Sequence, residues 1–151
     1  MKLCRLVLTL LVFVASLPCA VQAKQFAVVA DKANAISNLT ASELVKIFTA
    51  HTRTWADGKP ITVVMRDPSS TDMQLVLRKV LNMTAEQAHA FVLAHRDLIM
   101  LADTDDAVLR FVSTSPGAIG VVDLYSLTQD VNVVKIDSKL PVEQGYFLRG
   151  N

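Results

Sequence analysis

Short apolar runs bounded by charge alternate, along this chain, with stretches whose apolar positions recur every three or four residues. Phe26 to Ala30 is such a run and reads as a buried strand. Ile61 to Met65 reads as a second strand and delivers Arg66 at its end. Ala118 to Asp123 reads as a third, with Val131 to Ile136 and Tyr146 to Leu148 as the last strands. Thr40-Ala41-Ser42-Glu43 is a capping box, in which the Thr hydroxyl and the Glu carboxylate cover free amides at a helix start. Ala41, Leu44, Val45 and Phe48 then share one face. His51 to Gly58 is a turn region. A helix after Ser70 carries Met73, Val76, Leu77, Val80 and Leu81 on one stripe. Thr84 to Gln87 opens another, with Ala88, Phe91, Val92 and His95 inward, and Asp103 to Thr114 reads as a fourth. Strands alternating with helices predict an α/β domain on a mixed, mainly parallel sheet flanked by helices. Gly117, between a helix end and a buried strand, is expected to need a positive φ or to lie too close to a neighbour for a Cβ.

The amino terminus has a different pattern. Lys2 and Arg5 precede an apolar run from Leu6 to Leu17, Pro18 breaks it, and Val21-Gln22-Ala23 supplies small residues at a cleavage site. That order is a secretory signal peptide over residues 1–23, and the run is shorter than the ~20 apolar residues of a spanning helix. Pro18 before Cys19 makes a poor lipidation signal, so Cys19 is expected to leave with the leader. Residues 24–151 then form one periplasmic domain of 128 residues. Both cysteines go with the leader, which excludes a disulfide framework, a thiolate metal site and a cysteine nucleophile. Without Lys2 and Arg5, 13 basic residues face 14 acidic ones, a net charge of −1. The basic excess of a nucleic-acid binder is missing. His51, His89 and His95 lack the helical spacing of a zinc pair, and no Ser-His-Asp order stands out, so neither a metal or other cofactor nor an enzyme activity is expected.

The chemistry concentrates at Arg66 to Asp72. A strand delivers Arg66, a tight loop offers Ser69, Ser70 and Thr71, and a helix begins at once. First-turn amides are unpaired and favour an anion, hydroxyls add donors, and a guanidinium adds a bidentate fork. Together they form a candidate cradle for a tetrahedral oxyanion. In the plainer alternative Ser69 or Ser70 only caps the helix and Arg66 pairs with Asp67 or Asp72.

Three stretches, that junction among them, carry a family resemblance. Asn38-Leu39-Thr40 with Glu43-Leu44, Ile47-Phe48 and Thr54-Trp55 resembles a helix and turn of phosphate ABC-transporter substrate-binding proteins. Ile61 to Arg66 followed by Ser69-Ser70-Thr71 resembles their strand ending in Arg and their Ser-Gly-Thr phosphate loop. Asp105-Asp106-Ala107-Val108 and then Ser115-Pro116-Gly117-Ala118-Ile119-Gly120 resembles their helix and "PGAIG" strand. The resemblance implies a single lobe of a type II periplasmic-binding-protein-like fold. It implies inorganic phosphate or a similar oxyanion as ligand, held by Arg66, Ser69, Ser70 and Thr71, and an ABC permease or a sensor protein as partner. The family's full proteins have two lobes and a glycine-rich phosphate loop that this chain lacks, and Ser70 stands where they have Gly. A homodimer that closes the site, or a non-transport adaptor that exchanged the anion for a protein partner, stays open.

The leader reading predicts that the protein recovered from periplasmic extract begins at Lys24. Intact-mass spectrometry finding Met1 retained, or a lipid on Cys19, would contradict it.

Overall fold

The computed structural model describes residues 23–150. Of the expected leader only Ala23 falls within them. Six strands form one sheet: β1 (Phe26–Ala30), β2 (Asn38–Leu39), β3 (Thr62–Arg66), β4 (Ile99–Ala102), β5 (Ala118–Asp123) and β6 (Asn132–Ile136). Their order across the sheet is β2-β6-β1-β5-β3-β4. β3 runs parallel to β4 and β5, and β2 runs parallel to β6, whereas β1 is antiparallel to both β5 and β6. β1 therefore runs against the other five. Phe26, at its start, sits opposite Asp123, at the end of β5. One edge of the sheet thus gathers the carboxyl ends of β3, β4 and β5 together with the beginning of β1.

Side chains alternate between the two faces with the two-residue period of a strand. Phe26, Val28 and Ala30 of β1, Val63 and Met65 of β3, and Ile119 and Val121 of β5 face one core. Over that face lie α1 (Ala41–Phe48), a helical run, and α3 (Ala85–Ala94). The run passes from a 3-10 turn (Thr71–Met73) through an α turn, α2 (Gln74–Val76), to a π turn (Leu77–Leu81), and ends at Asn82 in the left-handed region. Ala27, Val29, Val64, Ala118 and Val122 face the other way and meet Val108, Leu109 and Val112 of α4 (Asp105–Thr114). Capping boxes at Thr40/Glu43 and Thr84/Gln87 fix where α1 and α3 begin. The expected α/β fold with a mixed, mainly parallel sheet is the fold observed.

Three expectations need correction. Ile99–Ala102 is a strand that the sequence reading missed, paired in parallel with Val63 to Arg66. The fourth helix starts at Asp105 rather than Asp103, because the Thr104 hydroxyl accepts the Ala107 N–H and caps it there. Tyr146 to Leu148 is a tail and not a strand. Leu148 accepts one hydrogen bond from the Phe26 N–H and Gln25 bridges Arg149, but Lys79 Nζ donates at 2.9 Å to the carbonyls of both Phe147 and Arg149. Pairing with the chain before β1 is limited to that one bridge, flanked by the Leu148 carbonyl and the Gly150 N–H, and the Lys79 ammonium satisfies the other two carbonyls.

Gly117 meets both conditions expected of it. Its φ is +82°, and a Cβ would lie 2.3 Å from the carbonyl oxygen of Pro60. Its own N–H donates to Asp31 and its carbonyl accepts from the Trp55 indole, each at 3.0 Å, so the backbone here cannot shift freely. Gly117→Ala is expected to destabilise the protein by about 2 kcal/mol or more in urea unfolding, the scale of a strained backbone position. A change within about 0.5 kcal/mol, typical of an inconsequential surface site, would contradict this.

Candidate functional site

Arg66 is the last residue of β3, and the two-residue period sets it on the face of Val64, toward α4. Its Nη1 donates at 2.9 Å to Oδ2 of Asp72 and lies 3.8 Å from Oδ1 of Asp105. Its Nε is buried without a hydrogen-bond partner. Asp72 Oδ1 accepts from Lys24 Nζ at 3.0 Å, and the same ammonium lies 3.0 Å from Asp123 Oδ2. Asp105 Oδ2 accepts from the Asp123 N–H at 3.1 Å and from the Ser126 hydroxyl at 2.8 Å. Two cations and three carboxylates thus close a ring at the carboxyl edge. They arrive from the start of β1, the end of β3, the first turn after it, the start of α4 and the end of β5.

The loop after Arg66 divides its hydroxyls between two roles. Asp67 Oδ1 accepts both the N–H and the hydroxyl of Ser69, at 2.8 and 2.7 Å, and the Ser70 N–H donates to the Asp67 carbonyl. This aspartate-led turn keeps Ser69 engaged within the loop. Ser70 occupies the capping position of the 3-10 turn, yet its hydroxyl caps nothing. Among the described residues, the hydroxyls of Ser70 and Thr71 and the amides of Thr71 and Asp72 have no protein partner. Asp72, in the first turn, is what joins this loop to Arg66.

Both acids here are ionised at neutral pH. The Lys24 ammonium holds Asp72 below the usual carboxylate range, against the opposing effect of partial burial and with help from Arg66. The Ser69 hydroxyl and amide do the same for Asp67. The loop therefore presents carboxylates that accept hydrogen bonds beside hydroxyls and amides that can donate them.

Sequence reasoning reached Arg66, the loop and Asp72 as a candidate counter-ion. It missed Lys24, Asp123 and Ser126, and it took Asp105 only as a favourable first-turn acid. No local pattern marks Lys24, because only the reversed β1 carries it to this edge. A polar residue ending each buried strand, Asp123 after Val121-Val122, was the available signal. Trp55 packs half-buried against the core with its indole N–H on Gly117. His95 ends α3, its ring 4.1 Å from that of Phe91 and its Nδ1 2.8 Å from the Phe91 carbonyl. Among the described residues no group of three or more His, Cys, Asp or Glu side chains is placed to hold a metal ion, and no helix is long and apolar enough to cross a membrane.

The model of a family described as "PBP superfamily domain" matches residues 19–146. Solved structures with the same fold include an ABC-type phosphate transport receptor from Vibrio cholerae, at 18% identity over 85% of this chain and 55% of that one, with a TM-score of 0.71. PstS from Borrelia burgdorferi is similar at 20% identity over 86% of this chain and 56% of its own, with a TM-score of 0.72. A phosphate-binding protein from Stenotrophomonas maltophilia aligns at 18% identity over 80% of this chain and 41% of its own, with a TM-score of 0.61. The chain spans about half the length of these proteins. At such identities the likeness establishes the fold. No curated protein matches the sequence.

The ring makes a prediction about acid. A carboxylate with a depressed folded-state pKa contributes stability that is present above the ordinary carboxylate range and is lost as pH falls through its folded value. Asp72→Asn should therefore melt below the wild type at pH 7. The gap should narrow as pH falls below the ordinary carboxylate range toward the depressed value at which folded Asp72 becomes neutral. A gap unchanged from pH 7 to pH 3 would show that the charge of Asp72 does not hold Lys24 and Arg66.

Proposed function

Because the chain belongs to the PBP superfamily domain family, we propose that it is an exported periplasmic module that binds phosphate or a related tetrahedral oxyanion without transforming it. The observation that carries this reading is the position of Arg66. It lies at the carboxyl edge of the parallel strands, where open α/β sheets take their ligands, and the loop that follows it carries unpartnered donors on Ser70 and Thr71. β3 leads to helices on one face and β4 leads to α4 on the other, so the connections diverge between Arg66 and Asp105. Arg66, Ser69, Ser70 and Thr71 are the proposed ligand residues. For Ser69 to contribute, its hydroxyl must turn from Asp67 to the anion. An ABC permease is the proposed partner for uptake.

Magnitudes place the affinity. Three or four charge-assisted bonds of ~1.5–3 kcal/mol each are opposed by an association cost of ~4 kcal/mol or more. The dissociation constant then falls in roughly the micromolar to millimolar range. Arg66 already shares its charge with Asp72 and Asp105, which moves the expectation to the weak end. The same carboxylates offer selectivity. Monohydrogen phosphate can donate its proton to Asp67 or Asp72, and sulfate has none to donate.

A specific observation favours a second reading. Asp67, Asp72, Asp103, Asp105, Asp106 and Asp123 cluster at or next to this edge against Lys24 and Arg66. An excess of carboxylates repels a free anion. A periplasmic adaptor or sensor that binds a protein partner would tolerate that excess.

Thermal melting in phosphate and in sulfate at matched ionic strength separates the two readings. With a millimolar constant, 10 mM phosphate adds about 1.4 kcal/mol of stability, a rise of a few degrees. Sulfate should add less, and Arg66→Ala should abolish the phosphate-specific part. No shift with either anion would remove the oxyanion reading and leave the adaptor.

A further inference from the structure

A groove runs between α1 and the C-terminal tail. Two adjoining cavities of about 650 and 570 Å³ share Lys79 and Phe147 in their walls. Arg149 lines one and Lys46 of α1 lines the other, and no Asp or Glu lines either. We propose that this groove is a docking surface for an acidic polypeptide segment that carries an occasional apolar side chain.

The cations are available for such a partner. Lys79 is anchored by two backbone carbonyls and stands 5.9 Å over the Phe147 ring, so neutral groups position it and its charge is uncompensated. Among the described residues the Arg149 side chain has no ion-pair or hydrogen-bond partner. Lys46 has a carboxylate near it in Glu43, one turn back on α1, but Glu43 is bonded to the amide and hydroxyl of Thr40. Lys139 adds a further cation at the rim, its Nζ 3.2 Å from the carbonyl of Gln144, a lining residue.

Shape and composition choose the partner class. The cations come from three separate elements along two volumes, each within the roughly 300–1,000 Å³ range of a multi-atom ligand and far larger than one oxyanion fills. Phe147 and Val45 are half-buried in the walls and suit apolar side chains that enter between the charges. A membrane surface calls for protruding apolar residues, and none of the exposed large ones (Leu93, Met100, Tyr125, Leu140, Val142) lines the groove. A chain of carboxylates with interspersed apolar residues fits both features, and its approach is steered by charge.

Fluorescence anisotropy with a labelled peptide of glutamates interspersed with leucines tests this on the purified protein. Saturable binding is expected, weakening as salt rises, and a glutamine analogue of the peptide should not bind. Lys46→Glu and Arg149→Glu should each weaken it about tenfold while leaving the melting temperature close to that of the wild type. Arg96→Glu makes the same charge change outside the groove and should leave the affinity unchanged. Absence of binding, equal loss in Arg96→Glu, or full competition by inorganic phosphate at matched ionic strength would each overturn the proposal. So would binding to vesicles of anionic phospholipid in the absence of peptide binding, which would assign the groove to a membrane.

Discussion

Strand β1 runs against its five neighbours, and the candidate site depends on that reversal. A parallel β1 would begin at the opposite edge, with Lys24 the length of a strand away from Asp72. As folded, Lys24 enters the sheet beside the ends of β3 and β5 and is pinned there by Asp72, Asp123 and the Gly150 N–H on its carbonyl. Asp72 then carries two cations at once, and Arg66 is oriented by a carboxylate that Lys24 holds in place. Each ion pair is partly exposed, and such pairs contribute roughly 0–1 kcal/mol individually. Their value lies in geometry. Five charged groups from five chain segments fix one another, and the buried strands behind them fix the whole.

That geometry explains how one edge can be read in two ways. The donors that an oxyanion needs are present, unpaired, on Ser70, Thr71 and Asp72. The guanidinium that would anchor the ion is already matched by Asp72 and Asp105. An ion that enters must compete with those carboxylates or use them as proton acceptors, and only a protonated oxyanion can do the latter. The groove walls carry Lys46, Lys79 and Arg149 with no Asp or Glu, in contrast to the carboxylate-rich edge.

How much of this could be read from the residues varied with how local the cause was. The capping box at Thr40 and the helix start at Thr84 are set within four residues and are where the sequence puts them. Phe26–Ala30, Thr62–Arg66 and Ala118–Asp123 are buried strands because each is built on a short apolar run, and such a run needs no partner to be recognised. Ile99–Ala102 was missed because it is short, follows a helix directly, and leaves Met100 exposed at the sheet edge. Tyr146 to Leu148 looks like a strand by composition, but the tail meets the chain before β1 in a single bridge and is otherwise held by Lys79, 68 residues from Phe147. The site followed the same rule. Arg66 and its loop are six consecutive residues and were legible. Lys24, Asp105 and Asp123 join them only through strand order, which no local pattern records.

The central claim is that a tetrahedral oxyanion engages Arg66 within this ring. The guanidinium resonances of Arg66, assigned through loss in Arg66→Lys and followed by NMR during a phosphate titration, report on it most directly. Saturable movement of those signals with phosphate, and little or none with sulfate at the same ionic strength, is the result expected. Signals that stay fixed through tens of millimolar phosphate while the protein remains folded would contradict it.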